Sequence, residues 1–282
     1  MKLLSAIGKW LPRSPARQQA RLVRELHDMV LLQQTQQLQQ NHPNPLNRCG
    51  KKCFSQADED GITLEIVRRL QIVNGTYAEF GVGNGMENNT LILASLGWRG
   101  FWIGGEELQF RYQNSEKFLY RKSWITRDNI VELAQAASAG IGAAGIDVAS
   151  LDLDGNDIHL VRHLLERDFR PKLFIVEYNA KFPPPVKFEI PYDQGHQWQS
   201  DDYFGASLAS FVEAFGAHGY RLVCCNSQTG ANAFFVRPDQ LAAFQDIPQD
   251  LDQIYVGPRY FLYERYGHPP SVRVIEEIFR RR

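Results

Sequence analysis

Apolar and polar residues recur with two different periods along the chain, and the switching between them outlines the fold. Residues 58–70 carry Ile62, Ile66, Val67 and Leu70 at helical spacing, and residues 76–80 then form a short strand-like run that ends in glycines. The exchange repeats: the pattern predicts a helix over 91–96, a strand over 100–103 and a third strand over 122–126. A helix through Ile130, Leu133 and Ala137 follows, then a strand over 146–153, a helix over 157–167 and a strand over 172–176. A helix over 206–218 and strands over 221–225 and 233–236 close the series. Strands alternating with helices predict an α/β, doubly wound, mostly parallel sheet covered on both faces. The last two strands are joined by seven residues (226–232), too few for a parallel crossover, which takes about a dozen. They should form an antiparallel hairpin.

Residues 1–52 break this rhythm. Leu22, Val23, Leu26, Met29, Val30, Leu31 and Leu32 recur at roughly helical spacing, and a Gln-rich run leads into a segment over 41–47 with two prolines. We expect a helical extension and linker over 1–52, the α/β domain over 53–240, and a C-terminal extension over 241–282 packed on it. Lys2, Lys9, Arg13, Arg17, Arg21, Arg24, Arg48, Lys51 and Lys52 face only Glu25 and Asp28 in that first stretch. Such an arm either packs on the domain or makes peripheral contact with a partner or an anionic surface.

Composition narrows the class. With 282 residues, 44% hydrophobic and 22% charged, the chain matches ordinary globular usage. A formal net charge of -1 argues against a nucleic-acid partner, which calls for a strongly positive face. No long apolar run predicts a membrane span, and Lys9 interrupts a start that lacks a small-residue cleavage site, so a cytoplasmic location is expected. Four cysteines are too few to staple the chain, and the Cys49–Cys53 spacing has no second pair to complete a zinc site. All four cysteines are expected to be structural, Cys224 and Cys225 as small core residues.

Candidate chemistry gathers at strand exits, where open α/β sheets bind ligands. Glu79-Phe80-Gly81-Val82-Gly83-Asn84-Gly85 leaves the first strand, and its glycines allow a sharp turn and a close approach to a ligand. Glu106 and Glu107 follow the second strand, placed to reach ribose hydroxyls. Asp128, after the third, is placed for an adenine amino group or for capping the next helix. In Ser150-Leu151-Asp152-Leu153-Asp154-Gly155-Asn156-Asp157, alternation sends Asp152 and Asp154 to one face, as a titrating pair or a metal pair. Asp157 reads as a helix cap. Glu177 ends the fifth strand beside them. The loop over 181–204 is long for a compact domain and holds His196, the imidazole best placed for base work.

Several of these residues resemble a known family. Glu79-x-Gly81-x-Gly83-x-Gly85 is similar to the first motif of class I S-adenosylmethionine-dependent methyltransferases. Phe54-Ser55-Gln56 with Glu59-Asp60-Gly61-Ile62, Asn89-Thr90, Gly97-Trp98-x-Gly100 and Leu151-Asp152-Leu153-Asp154-Gly155 resemble FkbM-type methyltransferases and their uncharacterised relatives. The resemblance runs from Phe54 to Val236. It implies a seven-stranded Rossmann-like methyltransferase fold and S-adenosyl-L-methionine as cofactor, held by Glu79, Gly81, Gly83, Gly85 and an acid after the second strand. Related chains resemble I-E-G-D there, whereas this one reads Ile103-Gly104-Gly105-Glu106, so Glu106 would have to replace the acid lost at Gly104.

The expected activity is methylation of a hydroxyl on a sugar, glycan or other small molecule. Asp154, with Glu177 or His196, would take the proton, or Asp152 and Asp154 would hold a divalent cation. Two other readings stand beside it. A non-catalytic binding or scaffold module accounts for Gly104. A haloacid dehalogenase-type phosphatase is suggested by Asp152-Leu153-Asp154-Gly155, against the motif's place on the fourth strand.

Overall fold

A computed structural model describes residues 15–259 and 271–280. The start of the basic arm, with Lys2, Lys9 and Arg13, lies outside the described residues, as does the stretch 1–11 read against a leader. Helix α1 (Pro15–Asn41) leads through a 3-10 turn (Pro45–Cys49) to α2 (Glu59–Arg69). Then come β1 (Thr76–Phe80), α3 (Leu91–Ser95), β2 (Arg99–Gly104), β3 (Phe118–Lys122), α4 (Ile130–Gly140), β4 (Val148–Leu151) and α5 (Asp157–Glu166). The domain finishes with β5 (Leu173–Glu177), α6 (Leu208–Gly216), β6 (Arg221–Cys225) and β7 (Asn232–Val236), and α7 (Val272–Arg280) lies beyond it.

The seven strands form one sheet in the order β3-β2-β1-β4-β5-β7-β6, parallel except for β7, which runs antiparallel to both its neighbours. This is the expected α/β sheet with its reversed terminal hairpin. Every residue of β1, β4 and β7 is buried, as burial on both faces requires, and α4, α5 and α6 pack side by side over it. Phe215 of α6 stacks on Phe235 of β7 at 4.0 Å between ring centroids. No helix of the described residues is long and apolar enough to cross a membrane.

Two sequence expectations are corrected here. The third strand lies at 118–122, four residues before the expected 122–126. It is an edge strand with one neighbour, so pairing alone chooses between two runs of equal strand character, Phe118-Leu119-Tyr120 and Trp124-Ile125. The fourth strand stops at Leu151, and Asp154 sits at φ 52°, so strand alternation does not extend through Asp154.

The segment over 41–47 is no free linker. Asn44 Nδ2 donates to the Val223 carbonyl at 2.7 Å and Asn47 Nδ2 to the Cys225 carbonyl at 2.9 Å, covering the outer edge of β6. Further upstream, α1 leaves Leu22, Leu26 and Met29 exposed. Cys224 and Cys225 are buried as expected, but Cys53 is exposed, because Cys53 belongs to an outer loop held through its backbone.

That loop is clamped by three buried acids. Asp60 Oδ2 accepts from the backbone of Cys53, Phe54 and Ser55 and from the Ser55 hydroxyl, at 2.7–2.9 Å. Asp58 accepts from the backbone of Ser227 and Gln228, and Glu59 from the amides of Asn226 and Asn232. The clamp ties loop 53–58 to the turn between β6 and β7, and so sets one rim of the cleft described next. Asp60→Ala leaves these donors without an acceptor and is expected to cost about 2–3 kcal/mol in urea unfolding. A loss below about 0.5 kcal/mol would mean that water replaces the carboxylate.

Candidate active site

The strand order reverses between β1 and β4, and the chains leaving these two strands part around a cleft, as at other topological switch points. The Gly81 N–H donates to the Ile103 carbonyl at 2.9 Å and the Asp152 N–H to the Phe80 carbonyl at 3.0 Å, which fixes both exits. Gly81 has φ 87°, and a Cβ on it would lie 1.5 Å from the Asp152 carbonyl oxygen. Packing alone therefore requires glycine there. Gly83 differs: a Cβ on it would meet nothing within 4 Å. That bare backbone faces open space.

Two chambers meet over it, and Gly81, Gly83, Glu106, Asp152 and Asp154 line both. The smaller, about 260 Å³, is polar and also takes in Gln56, Glu79, Asn84, Asn88, Asn89 and Asn232. The larger, about 390 Å³, has an apolar wall of Val82, Trp124, Ile125, Leu153, Leu160 and Trp198. Among the described residues, no lysine or arginine lines either chamber. A larger cavity of about 710 Å³ opens beyond the other ends of the strands, where Lys172 pairs with Asp147 at 2.8 Å and Arg170 with Asp168 at 3.0 Å.

The loop over 181–204 walls the larger chamber. Trp124 Nε1 donates to the Gln194 carbonyl at 3.2 Å, the Arg127 N–H to the Tyr192 hydroxyl at 3.0 Å, and Asn156 Nδ2 to the Asp193 carbonyl at 2.7 Å. Behind it, Phe182 stacks on Phe188 at 4.2 Å, and both pack with Ile190 and Val274 of α7 in a second small core. Lys181 and the Ser271 N–H hold Asp202 at 2.6 and 2.7 Å.

Acidic residues dominate the strand exits. Glu79 lines the polar chamber, yet its oxygens already accept from Asn89 N–H at 2.9 Å, Thr90 N–H at 3.0 Å and the Thr90 hydroxyl. Burial raises its pKa, and these hydrogen bonds oppose the rise. Asp152, Asp157 and Glu177 each offer an oxygen within 4.8 Å of the others. Burial, then the charges of Asp154 and Asp157, push Asp152 well above the usual carboxylate range; burial, then Asp152, do the same to Glu177. Asp157 is fully buried and accepts from the Leu153 N–H at 2.7 Å and the Gly155 N–H at 2.9 Å. It folds the turn after β4 rather than capping α5, whose capping position is Asn156.

Asp154 lies outside that trio, on the rim where the chambers meet, and its charge also bears on Asp152. Desolvation raises Asp154, and His196 opposes the rise. His196 lies over Gly155, where a Cβ would come within 2.2 Å of its ring, and its Nε2 is buried without a partner. Desolvation lowers its pKa, with Arg273 adding to the effect. Glu177 lines neither chamber and reaches the cleft only through Asp152.

After β2, a Cβ on Gly104 would lie 1.8 Å from the Val82 carbonyl oxygen, so no side chain fits at that position. Glu106 is the acid of this turn that lines both chambers, whereas Glu107 points away and pairs with Lys122 at 2.8 Å. Asp128 is exposed and lines neither chamber, and the residue at the cap position of α4 is Asn129. The four-residue displacement of β3 explains this: the residues at its exit are Ser123, Trp124 and Ile125. Sequence reading also missed Trp124 and Asn232, which carry no local motif of their own, and gave Gln56, quoted only within a resemblance, no place in the site.

No family model and no curated protein sequence matches the chain. Solved structures do match it weakly. One is the MycE methyltransferase of the mycinamycin biosynthetic pathway, in complex with Mg, SAH and mycinamycin VI (11% identity, TM-score 0.32); the match covers 62% of this chain and 45% of MycE. A second is a putative S-adenosylmethionine dependent methyltransferase from Listeria monocytogenes (11% identity, TM-score 0.35), with 62% and 99% covered. A third is the glycopeptide N-methyltransferase MtfA complexed with (S)-adenosyl-L-homocysteine (15% identity, TM-score 0.35), with 68% and 95% covered. The fold assignment stands on the strand pairing described above.

Proposed function

We propose that the chain is a class I S-adenosyl-L-methionine-dependent methyltransferase acting on a hydroxyl of a sugar, glycan or other small molecule. The observation that carries this reading is Gly83, a side-chain-free stretch of backbone at the floor shared by both chambers. The residues fit the cofactor on both sides of that floor. Val82, Trp124 and Ile125 suit a flat base, and Glu106 at the junction suits paired ribose hydroxyls. The polar chamber, lined by Glu79, Asp152 and Asp154 without a basic side chain, suits an ammonium and a sulfonium charge.

When bound, the sulfonium supplies the electrophilic methyl group, and the chain itself positions the acceptor and removes its proton. Asp154 is the base in this reading, a solvent-exposed carboxylate on the rim beside His196 of the loop over 181–204. Calorimetric titration of S-adenosylmethionine into the purified chain tests the proposal. Saturable binding at one site supports it, and no detectable heat or melting shift rejects it. The binding-module reading, favoured by the loss of an acid at Gly104, expects no detectable binding of S-adenosylmethionine.

Glu106 gives a finer test. Glu106→Ala is expected to weaken cofactor binding about tenfold or more, since the ribose hydroxyls lose a charged acceptor. Glu107→Ala should leave affinity unchanged. The reverse order would put the ribose elsewhere.

A further inference from the structure

We propose that the first half of α1 lies along an anionic lipid surface, with Leu22, Leu26 and Met29 sunk into the headgroup layer. Every residue over 15–29 is exposed, so about 22 Å of helix buries no side chain. The later turns are anchored. Thr35 is buried, Leu38 packs on the main core, and Gln39 Nε2 donates to Asp58 Oδ2 at 3.0 Å. At about 100° per residue, Leu22, Leu26 and Met29 fall within about 60° of one another, with Val23 and Val30 beside them. Thr35 and Leu38 lie about 140–160° round the helix from Leu22. The apolar stripe therefore faces away from the side that holds α1 to the domain.

Charge chooses the occupant. The chain holds 31 Lys and Arg against 32 Asp and Glu, yet its first 24 residues carry Lys2, Lys9, Arg13, Arg17, Arg21 and Arg24 and no acid. Within α1, Arg17, Arg21 and Arg24 fall on the half of the helix opposite the stripe. A helix with one apolar and one cationic side lies in the plane of a membrane interface, its apolar side in the acyl boundary and its cations drawn to acidic headgroups. The preceding sequence adds Leu3, Leu4, Ile7, Leu11 and Trp10, the last of a type enriched at membrane–water interfaces.

A second copy of the chain fits this face less well. Continued at alternating spacings of three and four, the stripe reads Gln19, Leu22, Leu26, Met29, Gln33, Gln36 and Gln40. A paired coiled coil takes about three to four apolar heptads, and here glutamines flank three apolar positions. Two such arms side by side in parallel would also bring like charges together. The contact lies on the surface rather than through it, since no helix of the described residues is long and apolar enough to cross a membrane.

The test floats the full chain with vesicles of phosphatidylcholine alone, or holding about 30% phosphatidylserine, at about 0.1 M and about 1 M NaCl. Flotation with the anionic vesicles at the lower salt is expected, and binding about tenfold weaker or more on neutral vesicles and at the higher salt. Leu26→Glu, at a position 61% exposed, should weaken binding to the anionic vesicles about tenfold or more with an unchanged melting temperature. Val73→Glu, at a position 79% exposed away from α1, should leave binding as in the parent. Should Leu26→Glu disturb the melt, the paired exchange Leu22→Gln and Met29→Gln makes the same comparison. No flotation with the anionic vesicles, equal flotation with the neutral ones, or undiminished binding by the folded stripe variant overturns the proposal. A dimer in sedimentation that Leu26→Glu abolishes, without vesicle binding, gives the face to a second copy and also overturns it. Because the assay holds no S-adenosylmethionine, its outcome is independent of whether the cofactor binds over Gly83.

Discussion

Gly83→Val is expected to weaken S-adenosylmethionine binding about a hundredfold or more, some 2.7 kcal/mol, while the melting temperature stays within about two degrees of the parent. The two halves of that expectation come from one measurement on the backbone. A Cβ at Gly83 meets nothing within 4 Å, and Gly83 is absent from the positive-φ glycines, so the fold does not depend on glycine there. The only thing a branched side chain displaces is the occupant of the floor between the chambers. Gly81→Val would not be a fair test, because a Cβ at Gly81 collides with the Asp152 carbonyl and the strand exits themselves would move. Calorimetry and thermal melting on the same Gly83→Val sample decide the matter. Unchanged affinity in a folded variant would remove the cofactor from this cleft.

The contrast between these two glycines was not legible in the sequence, where both belong to one motif. Periodicity located β1, β6 and the reversed hairpin because those segments are bounded by glycine or turn residues and have no competing run beside them. It misplaced β3, where two adjacent apolar runs have equal strand character and only the single neighbour β2 decides between them. Asp128 was misjudged with it: a shift of four residues hands the strand exit to Trp124 and Ile125 and leaves Asp128 on the surface.

The acidic residues divide along the same line. Sequence pattern brought Asp152, Asp154 and Glu177 to the strand exits and left His196 in the loop over 181–204; in the structure Asp152, Asp154 and His196 line the cleft and Glu177 does not. Which of them touch one another depends on Asp154 entering the left-handed region, a choice that ends the strand two residues earlier than alternation implies. Glu59 and Asp60, quoted for a family resemblance, and Asp58 beside them carry the hydrogen bonds that hold the rim, so their part in the site is indirect. Asn232 had no signal, since an asparagine at a strand start is ordinary and its orphan oxygen exists only once Glu59 has taken the amide.

Asp154→Asn is expected to cut methyl transfer to a hydroxyl acceptor about a hundredfold or more while cofactor affinity and melting temperature hold. Its backbone, at φ 52°, is one that asparagine adopts as readily as aspartate, so the exchange adds no strain of the kind alanine would. Its side chain makes none of the contacts that fold the turn, which are made by Asp157 to Leu153 and Gly155. What the exchange removes is a carboxylate at the meeting point of both chambers, beneath His196, where a hydroxyl beside the bound cofactor would lose its proton. Asp157→Asn supplies the contrast, because it weakens two backbone hydrogen bonds in a fully buried site and should lower the melting temperature first. Transfer of labelled methyl from S-adenosylmethionine to a panel of sugar and glycan hydroxyls, scored per folded molecule in both variants, separates the roles. Preserved transfer in Asp154→Asn would move the base to another group on this rim, and a melting temperature lowered as far as in Asp157→Asn would make Asp154 part of the scaffold.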